Sequence, residues 1–573
     1  MHDLVIRNGR VVDGTGVAAR TADVAIDGDR ISIVGDVPDQ GREEIDAAGQ
    51  MVTPGFVDIH THYDGQVLWD PAITPSSWHG VTSIVMGNCG VGFAPVRPDR
   101  HEFLISVMEG VEDIPGAALS EGVDFTWESF PEYLDAVEAI PHAIDVGAQM
   151  PHSALRVYVM GDRGRDHTEV ATPEEIATMR ELTGEALEAG ALGFTTSRTI
   201  NHRDKEGNQI PTLTNTPDEL WGIAAALADK GFGHLEIVSD FVDLDVEFEI
   251  FEGMADHASA PLSILLVQND QSPDHWRKVL DRIQDARAGG TDLTAQVAIR
   301  PVSLLLGLQS SMHPFITCPT YRKELADLDL DARVDRMRDP EMRAKLIEEH
   351  ASRTRGMSGM VAQSFHKMFP LGDPPDYEPA PEDSIKDRAE AAGVPPVEMA
   401  YDMLLERDGR ELMLFPLANF TDGNHDVVRE MNLAEGTVPG LSDGGAHCGV
   451  ICDASFPTYM LTHWVRDRER GERLPLELVI QRQCRDTARQ VGLDDRGTLE
   501  AGMLADVNVI DFENLTLRAP EMAYDLPAGG RRLIQRAEGY LATIKRGEVI
   551  YRDGEATGSM PGQLIRGPQS TSA

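Results

Sequence analysis

The chain has 573 residues, with 51 lysines and arginines against 95 aspartates and glutamates, a formal net charge of −44. Hydrophobic residues make up 41% and charged residues 25%, ordinary globular usage that excludes a mainly disordered chain and leaves ample apolar material for a core. The acidic balance argues against nucleic acid or an anionic membrane as a partner, since phosphate repulsion would go uncompensated; it also fits simple solubility or a salty habitat.

The opening Met1-His2-Asp3-Leu4-Val5-Ile6-Arg7 has no basic stretch followed by an apolar one, so no signal peptide is expected. No apolar run approaches the roughly 18 residues that predict a membrane-spanning helix. Cys89, Cys318, Cys448, Cys452 and Cys484 form an odd, sparse set. Such a set fits reduced thiols, and a cytoplasmic location is the expectation. Cys448 and Cys452 read as small buried residues.

Residues 1–53 read as short strands (Leu4–Ile6, Val11-Val12, Val24–Ile26, Ile31–Val34) punctuated by Asn8-Gly9, Asp13-Gly14 and Asp27–Asp29 turns. Residues 491–560 read the same way, through Asp506–Ile510 and Ala542–Ile544. The two ends are expected to build one small sheet domain. Between them, strands alternate with helices, the pattern of βα units. Thr172-Pro173-Glu174-Glu175 and Thr216-Pro217-Asp218-Glu219 each read as a capping box opening a helix, and Gly190 and Gly231 mark the helix ends.

Eight strands are expected: Val57–His62, Val81–Met86, Ala143–Ala148, Leu192–Thr196, His234–Val238, Leu262–Val267, Leu293–Ile299 and Val438–Leu441. They fit a (β/α)8 barrel, with seven strands in 54–304 and completion in 411–490. Residues 305–410, rich in proline, break the alternation and read as an insertion over the barrel mouth. A frayed tail is expected over 561–573.

The sharpest chemical signal is His60-Thr61-His62. Period-two alternation puts both imidazoles on one side of a strand, where they can share a metal ion or form a structural pair. Cys89, between Asn88 and Gly90 after the second strand, is either a metal-stabilised thiolate or a small turn residue. His234 is taken to end the fifth strand. Asp443, in Ser442-Asp443-Gly444, follows the eighth, where it can bind metal and take a proton from water.

Taken together the chain resembles the amidohydrolase superfamily, and within it the N-acyl-D-amino-acid deacylase (D-aminoacylase) branch. The resemblance rests on Val5–Gly9, Pro54-Gly55-Phe56-Val57-Asp58-Ile59-His60-Thr61-His62, Gly80–Thr82 with Gly87-Asn88-Cys89-Gly90, His234-Leu235 with Ser239-Asp240, Ser442-Asp443-Gly444, and Asp495–Gly502 with Ala505-Asp506. It implies a metal-bearing TIM-like barrel with a composite β-sandwich, a metal site lined by His60, His62, Cys89, His234 and Asp443, and Asp443 as general base and acid. Many superfamily members bridge two metals with a carboxylated lysine on the fourth strand. No lysine precedes Lys205 here, and Cys89 matches the cysteine that the deacylase branch uses instead.

Three departures stand out. Leu266 occupies the place of a histidine ligand on strand six, so one ion or two are both open. Gln268 stands where the branch has a lysine for the substrate carboxylate, and Ala454-Ser455-Phe456-Pro457 where it usually has an arginine. Arg198, His202 and Arg203, after the fourth strand, are candidate substrate contacts or members of a solvated loop, and Gln268 is a further candidate contact. His447 and His463 read as structural or as supports of the site.

Metal-assisted hydrolysis of an amide carbon–nitrogen bond in a small molecule is the expected activity, with zinc the default for such ligands. A cyclic amide or an amide without a free carboxylate is the alternative substrate. A non-catalytic barrel that binds a small molecule is the alternative function. A homo-oligomer remains open.

Overall fold

The computed structural model describes residues 1–350 and 356–571. Residues 351–355, in the expected insertion, and 572–573, at the end of the expected tail, lie outside the described residues. All eight expected strands occur: β1 (Phe56–Asp58), β2 (Val81–Met86), β3 (Asp145–Ala148), β4 (Gly193–Arg198), β5 (His234–Ser239), β6 (Leu262–Leu266), β7 (Leu293–Val297) and β8 (Thr437–Pro439). β1, β2 and β3 form one parallel sheet. The short strand Met150–Pro151 pairs with β4, and β4 to β8 continue in parallel chain order. The sheets are compatible with an α/β barrel. β2 is buried at every position, as a parallel strand covered on both faces must be.

The helices between strands obey local rules. Thr172 and Glu175 cap the helix Pro173–Ala189 reciprocally. The second expected capping box is only half made. Thr216 accepts from the Glu219 amide, but the Glu219 carboxylate turns inward to Arg156 at 3.0 Å and His152 at 3.1 Å. A buried ion pair outcompetes an exposed backbone amide for that carboxylate.

Both ends of the chain build one nine-stranded sheet, in which Val507–Ile510 pairs with Met51–Pro54 and Tyr540–Lys545. Its core gathers Leu4, Ile6, Val24, Val507 and Val509. Between β7 and β8 the chain leaves through Ser303–Leu306 and returns through the antiparallel partner Met413–Pro416. The excursion has its own core around Phe315, Leu346 and Tyr401, shared with Val450 and Ile451.

The expected frayed tail is corrected. Gly562 N–H donates to His142 O, Ile565 N–H to Val146 O, and Gln569 N–H to Gly492 O. Ile565 is buried, so 562–569 dock on β3 and on the Gly492-Leu493 turn by backbone pairing and apolar burial. No described helix is long and apolar enough to cross a membrane.

Candidate metal centre

His60 and His62 lie just past β1, where the chain bends toward the residues after β8: His62 N–H donates to Gly444 O and Asp443 N–H to His60 O. Cys89 sits in a tight turn after β2 with φ 56°, a left-handed conformation uncommon for a side-chain-bearing residue. Gly90 must be glycine there. It too has positive φ, and a Cβ would come within 2.8 Å of the Thr196 backbone. Asp443 is also left-handed, at φ 48°. Three separate connections therefore turn sharply to present His60, Cys89 and Asp443 to one point.

Ligand atoms of His60, His62 and Cys89 all lie within 4.8 Å of one another. Cys89 Sγ is 3.5 Å from His60 Nε2. Asp443 Oδ1 is 3.4 Å from His60 Nε2 and 3.8 Å from His62 Nε2. The first three are buried, while the Asp443 side chain is 13% exposed, so Asp443 is the member that meets solvent.

The tautomer of His60 decides what this point holds. Its Nδ1 is 2.9 Å from Gln296 Oε1, and Gln296 Nε2 donates to Ser263 Oγ at 2.8 Å. The amide oxygen can only accept, so His60 donates from Nδ1 and presents a bare lone pair at Nε2. Burial, opposed by Asp443, lowers the His60 pKa to about 4. A lone pair and a carboxylate oxygen thus face each other at 3.4 Å, an arrangement that wants a cation between them.

The surroundings agree. The buried atoms His62 Nδ1, Asp64 Oδ2, Glu112 Oε1 and Glu236 Oε1 have no hydrogen-bond partner. Burial drives the pKa of Asp64 to about 7 and of Glu236 to about 8. Burial, and next the Glu236 carboxylate, push the Cys89 thiol up. His62 carries the balancing charge: burial lowers its pKa, but Glu112 and Asp443 outweigh this and raise it to about 9. Burial raises the Asp443 carboxyl, yet the His62 imidazole 3.8 Å away and the field of His60 hold it well below the usual range. Imidazole, thiol and carboxyl donors gathered around buried atoms that lack partners fit a divalent cation, which would displace the protons that burial leaves on them.

His234 is not brought to this point. The expectation that it ends its strand is corrected: it opens β5. Its Nε2 lies 2.9 Å from Ser263 Oγ, which links it through Gln296 to His60, while its Nδ1 is buried without a hydrogen-bond partner. Glu236, on the same face two residues on, reaches the site instead: Cys89 N–H donates to Glu236 Oε2 at 2.9 Å. The signal was an acidic residue in the otherwise apolar run Leu235-Glu236-Ile237-Val238. Glu112 was also missed. It ends the helix His101–Glu112, with Oε1 3.4 Å from His62 Nδ1 and Oε2 3.7 Å from His447 Nε2. No motif marks it.

Of the candidate substrate contacts, Arg198 is clasped by Glu247, with contacts of 2.8 and 3.0 Å. Arg203 donates to Gly207 O in its own loop. Gln268 is fixed by Asn419, Thr421 and Pro273. Arg198 and Gln268 have protein partners that leave no group open for a carboxylate clamp, whereas Arg203 is exposed and keeps donors beyond its Gly207 contact. His202 differs. Its Nδ1 contacts Ser197 Oγ at 2.8 Å, and burial, then His447 and His62, lower its pKa to about 3. It stands beside the site as a neutral imidazole.

A second group, Glu378, His425 and His463, is also close enough to hold an ion. Here Arg468 already contacts both Glu378 oxygens, at 2.9 and 3.1 Å. The guanidinium supplies the cation, and the group ties the excursion to the helical segments after β8.

Comparison with known proteins follows the same lines. Residues 43–551 match a family model described as the Amidohydrolase family. A D-aminoacylase from Alcaligenes xylosoxydans xylosoxydans is 26% identical over 569 residues, 98% of this chain and 97% of that protein. An N-acyl-D-aspartate deacylase from the same organism is 28% identical over 572 residues, 98% of this chain and 95% of that protein. In fold, the chain matches a solved structure of D-aminoacylase, a protein with a binuclear metal center, at a TM-score of 0.65 and 23% identity, covering 99% of this chain and 100% of that one. It matches N-acyl-D-glutamate deacylase from Bordetella bronchiseptica, complexed with zinc and a phosphonate inhibitor, at 0.64 and 22%, covering 99% of both chains.

Proposed function

Because the chain belongs to the amidohydrolase family, we propose that it is a metal-dependent hydrolase of an amide carbon–nitrogen bond, with N-acyl-D-amino acids as its substrate class. The observation that carries this reading is the convergence of His60 Nε2, His62 Nε2, Cys89 Sγ and Asp443 Oδ1 on one point. We read the parallel sheets as a single eight-stranded barrel. β3 and Met150–Pro151 then form one bent strand, and the parallel Thr61–Gly444 bridge joins the first and last strands. The sheet from both termini is read as the companion domain, and residues 305–410 as the insertion over the mouth.

His60, His62, Cys89 and Asp443 would hold one or two zinc ions. When bound, zinc polarises the scissile carbonyl and acidifies water. The protein's own part follows from geometry. His60 is fixed in its Nδ1–H tautomer by Gln296, and His62 is steadied by Glu112. Asp443, ionised and facing solvent, takes the proton from the attacking water and delivers it to the leaving nitrogen. His202 can hydrogen-bond the substrate as a neutral group.

A second substrate reading has its own support. Arg198 and Gln268 are engaged by protein partners, which favours an amide without a free carboxylate, such as a cyclic amide. Elemental analysis of the purified protein, followed by a hydrolysis panel of N-acyl-D-amino acids, their L enantiomers and cyclic amides, tests both. Release of D-amino acids supports the first reading, and ring opening the second. Absence of metal uptake and of hydrolysis would leave a binding protein.

A further inference from the structure

We infer that Glu236, not His234, is the strand-five contribution to the metal site, so that β5 offers an oxygen donor to the bound divalent cation. The inference rests on the hydrolase reading above and deepens it.

Three observations converge. First, side chains on one strand face advance by about 6.6–6.8 Å every two residues. His234 and Glu236 therefore lie at different depths along β5, and only Glu236 is level with the Cys89 turn, whose amide its Oε2 accepts at 2.9 Å. Second, the other carboxylate oxygen, Glu236 Oε1, is buried and has no partner, and the residue has no exposed surface. Kept ionised, a fully buried carboxyl with one oxygen fixed and one free is costly unless something positive meets it. Third, no lysine or arginine among the described residues is within ion-pair distance of it. The cation that suits the Cys89, His60 and Asp443 atoms is therefore the charge that Glu236 is placed to meet.

His234 has a different task. Its Nε2 contact with Ser263 joins a chain through Gln296 to His60 Nδ1. This orients a ligand without supplying one. The consequence for the site is chemical. A carboxylate where an imidazole was expected adds negative charge and a harder donor, which offsets the missing histidine at Leu266 and widens the range of usable ions toward manganese or cobalt.

The test is cobalt(II) titration of chelator-treated full-length protein, followed by absorption. The near-ultraviolet thiolate-to-cobalt band reports Cys89, and competition with a chromophoric chelator gives the affinity. Glu236→Gln keeps an acceptor for the Cys89 amide but removes the charge. It is expected to lose at least tenfold in cobalt affinity while its metal-free near-ultraviolet circular dichroism stays native. His234→Gln is expected to lose less than tenfold. Should Glu236→Gln fail to fold, Glu236→Asp, which keeps the charge and withdraws it by one methylene, must show the same tenfold or greater loss. A loss under tenfold in the folded Glu236 variant, or a larger loss in His234→Gln, overturns the assignment. Wild-type protein that takes up no cobalt overturns the hydrolase reading itself, which separates the two failures.

Discussion

Asp443 Oδ1 lies 3.4 Å from His60 Nε2, and neither atom carries a proton at neutral pH, given the His60 pKa of about 4 and the depressed Asp443 carboxyl. The pair is therefore assembled to share a cation, with Asp443 the partner that solvent reaches. Asp443→Asn keeps the shape and removes the base. Turnover is expected to fall by about 10²–10⁴-fold, the usual worth of general acid–base catalysis, or more where metal is also lost. Steady-state kinetics beside a thermal melt checks this: wild-type-like turnover would remove Asp443 from the proton transfer.

Glu112 faces His62 Nδ1 at 3.4 Å and His447 Nε2 at 3.7 Å from one buried carboxylate, close enough to pair by charge and to orient both rings. Such a partner fixes the ring and raises its basicity, and losing it typically costs about 10–100-fold in metal affinity. Glu112→Gln is expected to show that loss in zinc competition assays. An affinity equal to wild type would reduce Glu112 to a packing role.

The legibility of the site followed the range of each signal. His60-Thr61-His62 was readable because both candidate ligands lie two residues apart just past one strand, and period two is a local rule. Cys89 and Asp443 were readable because a glycine directly follows each of them just past a strand. The depth of His234 was not readable. Strand boundaries blur by a few residues, and whether a histidine opens or closes its strand changes its place in a barrel entirely. Glu112 and Gln296 act through contacts across the fold, which no spacing records. All eight strands were visible as apolar runs between turn signals, whereas the docked tail was hidden because its hold is mostly backbone pairing, indifferent to side-chain type.

Arg300 lies in the core with its Nη2 2.6 Å from Asp453 Oδ1, and its guanidinium is 3.7 Å from the centre of the Tyr377 ring. Burial raises the Asp453 carboxyl to about 6 even though this same arginine pulls it down. Breaking a buried pair from one side strands the other charge, at a cost of about 3–5 kcal/mol. Arg300→Met is expected to lose that much in chemical denaturation. The double variant with Asp453→Leu, which removes both charges, should recover most of the loss. If the double variant is no more stable than Arg300→Met, the stranded charge is not the cause.

Asp145, at the start of β3, gathers Arg496 at 2.7 Å, Lys545 at 2.9 Å and Arg546 at 3.0 Å. This is how the Asp495–Gly502 motif and the terminal sheet are pinned to β3. Burial opposes ionisation of Asp145, but the three cations prevail and hold its carboxyl well below the ordinary range. A carboxyl depressed in the folded state stabilises fully above its unfolded value of about 3.9, and that contribution is lost as pH falls below it. Unfolding free energy is therefore expected to drop steeply below about pH 4. Asp145→Asn should lower stability at neutral pH by about 3–5 kcal/mol, because it leaves the cations unpaired, and should flatten the acid limb of the profile. Denaturant unfolding of both proteins from pH 7 down to pH 3 decides the matter: parallel acid limbs would mean that other carboxylates drive the acid transition.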